Sequence, residues 1–192
     1  MANPLGLAVL AFLLWEPMHP YELGRRLKET DKQRSFKYSR GSLYMVVNQL
    51  KKAGFIVEQE TVRDTQRPER TVYALTEEGR GELYDWLREL VAEPQEEYPR
   101  FGVALSFLSV LPPDEAVELL GRRLETLDAA AEETRAGIKA ATDQGLAWVF
   151  LVEEEYRLTV LDAERRFVGR LVESLKEPEY LRQWQQIFGS RA

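Results

Sequence analysis

The amino-acid sequence predicts a mainly α fold with a small β-hairpin, the hairpin in the first half and helices alone in the second. Three observations carry this. Apolar residues recur at helical spacing through most of the 192 residues. The pattern breaks once, at Phe55–Val62 and Arg70–Leu75, two runs rich in β-branched and aromatic residues. After an acidic stretch at 93–99 containing Pro94 and Pro99, no strand pattern returns. The predicted boundary falls there, giving domains 1–92 and 93–192.

Each element has a local reason. Leu5, Val9, Phe12 and Leu13 mark a first helix that stops near Glu16-Pro17. Met1-Ala2-Asn3 carries no basic side chain and no small-residue cleavage pattern follows, so this run reads as a buried helix and not a signal peptide. It is also too short to span a bilayer, which needs roughly 20 apolar residues. His19-Pro20 opens a second helix, with Pro20 suited to a first turn whose N–H would be unpaired anyway. Its small apolar face is Tyr21, Leu23, Gly24 and Leu27, with Arg25, Arg26 and Lys28 outward. Residues 29–40 form a polar, basic connector with Lys32, Arg34, Lys37 and Arg40.

Ser39 is placed to cap a third helix, whose apolar stripe is Leu43, Val46, Val47, Leu50 and Ala53 and whose end is Gly54. The two strands follow, joined by the polar tip 63–69. Thr76 caps a fourth helix, with Glu77 and Glu78 at its positive end. Leu83, Trp86, Leu87 and Leu90 continue it. Helix, helix, helix, hairpin, helix within about 90 residues is the winged helix-turn-helix order.

In the second half, Phe101–Leu111 reads as a short buried helix, and Pro112-Pro113-Asp114 restarts a long one. Val117, Leu120, Leu124, Leu127, Ala131, Thr134, Ile138 and Ala141 alternate three- and four-residue spacings, a heptad seam. A further long helix is expected from near Gly145 to about Lys176, and a short last one at Glu179–Phe188. The seam makes this region an all-helical dimerisation domain, with Val117, Leu120, Leu124, Leu127 and Ile138 as its contacts. Packing of two long helices within one chain is the competing explanation.

Composition narrows the function. With no Cys, disulfides, iron–sulfur clusters, thiolate zinc sites and Cys nucleophiles are excluded. No cofactor is expected, and a cytoplasmic location is the simplest reading. His19, the only His, reads as a packing or capping residue, since no second His or Cys completes a zinc set. Glu153-Glu154-Glu155 diverge by about 100° each on a helix and do not converge on a metal. No nucleophile–base pair can be assembled, so the chain does not read as an enzyme.

Net charge is −6, yet residues 1–80 carry 13 Lys and Arg against 10 Asp and Glu. A DNA surface needs a local basic face, not a basic chain. On the third helix, Gly41, Tyr44, Met45, Asn48 and Lys52 fall opposite the apolar stripe. Asn48 has the geometry to pair with adenine in the major groove; Tyr44 and Lys52 reach phosphates, and Gly41 lets backbone approach closely. Lys37, Tyr38, Ser39, Arg40 and Ser42 lead into that helix. Arg63, Arg67 and Arg70 sit on the hairpin, where a wing lies along the backbone or minor groove. The alternative is a helical protein–protein adaptor whose winged helix reads no DNA.

Four motifs in order resemble the PadR family of transcriptional regulators: Leu7–Leu14; His19-Pro20-Tyr21-Glu22-Leu23; Gly41-Ser42-Leu43-Tyr44 with Leu50 and Gly54; and Tyr73-Ala74-Leu75-Thr76-Glu77-Glu78-Gly79. Pro20 replaces the family's usual Gly, and Met45 stands where Pro is frequent. The resemblance covers about residues 5–90. It implies a homodimer made through the C-terminal helices, binding a double-stranded, pseudo-palindromic operator, often as a repressor, with no membrane partner. Some PadR relatives sense phenolic compounds. The aromatic cluster Trp148, Phe150, Tyr156 and Phe167 is therefore core or the lining of a small aromatic effector's pocket, with Trp148 and Tyr156 the candidate lining.

Overall fold

The computed structural model describes residues 3–30, 38–62 and 70–189. The chain forms two compact units, Met1–Glu96 and Glu97–Ala192.

The first unit holds α1 (Pro4–Trp15), α2 (Pro20–Glu29), α3 (Arg40–Lys52), β1 (Ile56–Val62), β2 (Arg70–Leu75) and α4 (Glu77–Ala92). α1 is apolar on nearly every side, as befits a central helix. Leu5, Val9, Leu10 and Leu13 are buried, and Leu7, Ala8, Ala11, Phe12 and Leu14 pack around the same core. Against it lie Leu23 and Leu27 of α2, Leu43, Val46, Val47 and Leu50 of α3, Ile56 and Tyr73 of the hairpin, and Leu83 of α4. Asn3 caps α1 by accepting the Leu5 amide at 3.0 Å. His19 caps α2, its Nδ1 accepting the Tyr21 amide at 3.0 Å.

The hairpin pairs Ile56 with Leu75 and Glu58 with Tyr73, then shifts register between Glu58 and Glu60. Sequence periodicity missed a third edge. Met18 exchanges two backbone hydrogen bonds with Tyr73, each 3.0 Å, and so adds a one-residue bridge to β2. A single residue carries no alternation for a sequence reading to detect.

The end of α3, the hairpin and the start of α4 meet at one crowded point. Gly54, at φ +80°, terminates α3 in the left-handed region that favours glycine. Thr76 donates its hydroxyl to the Gly54 carbonyl at 2.7 Å, and the same oxygen accepts the Gly79 amide at 3.0 Å. Its own amide donates to Phe55 O at 3.1 Å. A Cβ on Gly79 would lie 2.0 Å from Phe55 O, so only glycine fits.

The second unit holds α5 (Arg100–Ser106), α6 (Pro113–Asp143), α7 (Val152–Lys176) and α8 (Pro178–Phe188), with 3-10 turns at Leu108–Val110 and Trp148–Phe150. Two expectations are corrected here. Phe101–Leu111 is not a buried helix: α5 buries no residue, and Phe107 and Val110 are exposed. Phe101 is partly covered, with the Arg123 guanidinium 3.6 Å from its ring centroid. The next long helix begins at Val152 and not near Gly145. Gly145 has φ +80°, and bonds from Gly145 N to Thr142 O and Leu146 N to Ala141 O close off α6.

The heptad stripe is also filled from within. Leu120 and Leu127 of α6 are buried in one cluster with Val168, Val172 and Leu175 of α7, with Val117 and Leu124 packed against it. Ile138 is half-buried. Leu120 and Leu127, at 4% and 8% exposed within the single chain, are thus packed between α6 and α7. A heptad records that two helices pack, not which chain supplies the second.

Ion pairs flank this seam. Arg123 donates to Glu164 at 2.7 Å, Arg135 to Asp162 at 2.7 Å, and Arg165 to both Asp162 and Asp128. No described helix is long and apolar enough to cross a membrane.

Two outcomes follow from these contacts. Gly79→Ala should lower unfolding stability by about 3 kcal/mol through overpacking against Phe55, read as a fall in urea midpoint; an unchanged midpoint would mean the junction yields freely. The second concerns pH. Arg135, and after it Arg165, hold the Asp162 carboxyl below its ordinary value. A depressed folded pKa adds stability that is complete above the unfolded value of about 4 and is lost as pH falls through the folded one. Helical circular dichroism in urea should therefore weaken on acidification below about pH 4, and Asp162→Asn should flatten that response. Identical acid profiles for the two proteins would contradict it.

Candidate nucleic-acid interface

α3 is held by one face and free on the other. Leu43, Val46, Val47 and Leu50 are buried, while Gly41, Met45, Asn48 and Lys52 are exposed and Tyr44 is half-buried. Three turns of helix thus present Arg40, Gly41, Tyr44, Asn48 and Lys52 outward from a fixed base, as the sequence pattern expects.

The entry to α3 is built from side chains that sequence reading placed among the DNA contacts. Ser39 Oγ accepts the Ser42 amide at 3.1 Å, Ser42 Oγ accepts the Ser39 amide at 2.8 Å, and the Ser42 hydroxyl donates to Ser39 O at 2.9 Å. This reciprocal cap spends both hydroxyls on starting the helix. The Tyr38 hydroxyl donates to Gly24 O at 3.1 Å, and its ring packs on the core, where burial pushes the phenol above its ordinary value. Tyr38, Ser39 and Ser42 thus orient the helix, and Arg40, Gly41, Tyr44, Asn48 and Lys52 form its outward surface.

α2 sets the tilt of α3. A Cβ on Gly24 would lie 3.3 Å from Leu43 Cδ2, so the missing side chain lets the two helices approach closely. Arg40 lies over the Tyr44 ring, 5.9 Å from its centroid. At the far end Lys51 turns away from the outward face and pairs with Glu58 of β1 at 2.6 Å. Lys52 has no ion pair among the described residues.

Lys37, Arg63 and Arg67, and the side chain of Arg70, lie outside the described residues. Tyr21, Arg25 and Lys28 of α2 were not singled out as site residues, yet they stand beside Arg40 and Tyr44 around one groove. Their only sequence signal was a polar outward face, which most surface helices share.

The candidate effector residues are exposed within the single chain. Trp148 is 65% and Tyr156 70% exposed, and the Trp148 indole N–H donates to Glu155 Oε2 at 2.9 Å. Among the described residues no group of three or more His, Asp or Glu side chains is arranged to hold a metal.

Residues 9–85, most of the first unit, match the model of the transcriptional regulator PadR-like family. No curated protein is significantly similar in sequence. The fold is similar to that of Bacillus subtilis PadR in complex with operator DNA, at TM-score 0.76 and 20% identity, covering 91% of this chain and 100% of that one. It is likewise similar to the same regulator in complex with p-coumaric acid, at TM-score 0.72 and 20% identity, with the same coverage. A PadR-like regulator from Bacillus cereus matches at TM-score 0.62 and 18% identity, covering 90% of this chain and 98% of its own. With four ordered motifs and a matching family model over 9–85, the first unit is similar to the PadR-like family of transcriptional regulators, and the fold as a whole is mainly helical and carries a winged helix-turn-helix.

Proposed function

We propose that the chain is a homodimeric repressor that reads a pseudo-palindromic operator through α3 and the hairpin and is released by a small aromatic effector. The observation that carries the DNA reading is the two-faced α3: four apolar side chains anchor it and Arg40, Gly41, Tyr44, Asn48 and Lys52 face outward. Asn48 reads a base edge, and the cations hold phosphate. The operator complex of the Bacillus subtilis regulator supports a DNA partner, and its p-coumaric acid complex supports an aromatic effector.

Symmetry supports the dimer, because a palindromic site needs two recognition helices about one helical turn apart. Since α7 fills the α6 seam, the surface for a second copy lies elsewhere in the second unit. α7 carries Val152, Tyr156, Val160 and Phe167, all exposed, spaced along one side of the helix.

In gel-shift titrations against fragments of the protein's own upstream region, duplex affinity should fall with salt, by a logarithmic slope of about −0.9 per neutralised phosphate. Asn48→Ala should relax preference at one base pair per half-site by about 1–3 kcal/mol. Absence of binding at low salt across a genomic selection would defeat the DNA reading, and unaltered preference in Asn48→Ala would move the reading face elsewhere. Sedimentation tests the dimer. Wild type should run as a dimer and Val160→Glu as a folded monomer with affinity near that of an isolated half-site; a dimeric Val160→Glu would remove α7 from the interface.

A further inference from the structure

The outward face of α3 carries one side chain that neither phosphate contacts nor adenine pairing would use. Met45 is aliphatic and 54% exposed, and its exposed neighbours on that face are Arg40, Asn48, Gln49 and Lys52. It caps neither end of the helix and lies outside the core cluster of the first unit. A single exposed apolar side chain is ordinary on a protein surface. The place of this one is not.

At 3.6 residues per turn, Gly41, Met45, Asn48 and Lys52 fall within about 60° of one another, opposite Leu43, Val46, Val47 and Leu50. Met45 therefore stands on the centre line of the face, with Gly41 a turn before it and Asn48 a turn after. Gly41 leaves that line open, since a Cβ there would meet only Ser39 Oγ, at 3.8 Å. A surface can thus come close to the α3 backbone at Gly41. The unbranched, flexible Met45 follows the floor of a groove and does not prop the helix away from it.

Base edges in the major groove are polar except at one group, the thymine C5-methyl. A thioether laid on a polar edge displaces its water and returns no comparable hydrogen bond. Laid on the methyl, it covers apolar surface on both partners. Met45 and Asn48 are separated by roughly 4.5 Å along the helix axis, comparable with the about 3.4 Å between successive nucleotides of a strand. With Asn48 on an adenine, Met45 meets the neighbouring base pair.

We propose that Met45 is a specificity-determining residue that reads the C5-methyl of a thymine in the base pair beside the one read by Asn48. This rests on the reading of α3 as the DNA-facing helix, to which it adds an apolar contact and a second base.

The test uses the full chain and a pool of duplexes with a randomised centre, from which wild type enriches its preferred sequence. That duplex is then made with deoxyuridine in place of thymidine at one position at a time, which removes only the methyl. Replacement at one thymine per half-site should weaken wild type by about fourfold, the equivalent of one buried methyl group. Met45→Gln, of similar length but polar, should bind the thymidine and deoxyuridine duplexes alike. With a C·G pair at that position binding should be weak, and 5-methylcytosine should regain a similar factor. Met45 is exposed, so the substitution empties no core, and the circular dichroism of the variant should match wild type. If wild type binds deoxyuridine as well as thymidine at every position, or if Met45→Gln keeps the methyl preference, the proposal is overturned and the DNA reading stands. Absence of any enrichment at low salt defeats the DNA reading and this inference with it.

Discussion

The burial of α1 is the constraint on which the first unit depends. A helix that is apolar on nearly every side must be surrounded, and here it is surrounded by α2, α3, α4 and the hairpin. Fully burying one Leu or Val side chain is worth about 1.5–3 kcal/mol. Four such residues on α1 and four on α3 therefore outweigh any local preference of the exposed side chains. The direction in which Asn48 and Lys52 point is thus set by the residues behind them. Gly24 and Gly79 make the same packing possible from the outside, one by letting α2 close on α3 and the other by letting α4 start beneath Phe55.

Much of this was legible because the punctuation is chemical. Pro20, Ser39, Gly54 and Thr76 each stand at an element end for a reason that needs no tertiary context: a missing N–H, a capping oxygen, a permitted positive φ. The outward face of α3 was legible by subtraction, since an apolar stripe of period 3.6 names its own opposite. What sequence left open was always a choice between partners. The stripe on α6 announced a helix neighbour, and only three dimensions reveal that Val168, Val172 and Leu175 are that neighbour. The Ser39–Ser42 cap and the Tyr38 bond to Gly24 were likewise invisible as structural roles, because Ser and Tyr also suit phosphate contacts.

The aromatic cluster of the second half shows the limit in the other direction. Trp148, Phe150, Tyr156 and Phe167 read from sequence as core or as the lining of an effector pocket. The 3-10 turn at Trp148–Phe150 spreads these rings on the surface of the chain. Meanwhile Tyr21, Tyr38 and Tyr44, widely spaced in sequence, line one groove because α2 and α3 cross at Gly24. Grouping by sequence finds faces of one element; a site between elements depends on a crossing that residue types alone do not announce.

Charge distribution ties the parts together. The acidic excess falls after residue 80, where carboxylates engage arginines of the neighbouring helix: Glu164 with Arg123, Asp162 with Arg135, Asp128 with Arg165. Exposed pairs of this kind contribute little each, about 0–1 kcal/mol, so the seam's stability rests on its apolar residues and the ion pairs chiefly fix which side chains face each other. The remaining carboxylates leave that half negative overall and so unfavourable to a phosphate backbone. The face of the first unit where Arg40 and Lys52 lack an acidic partner among the described residues is the one electrostatically suited to a phosphate backbone.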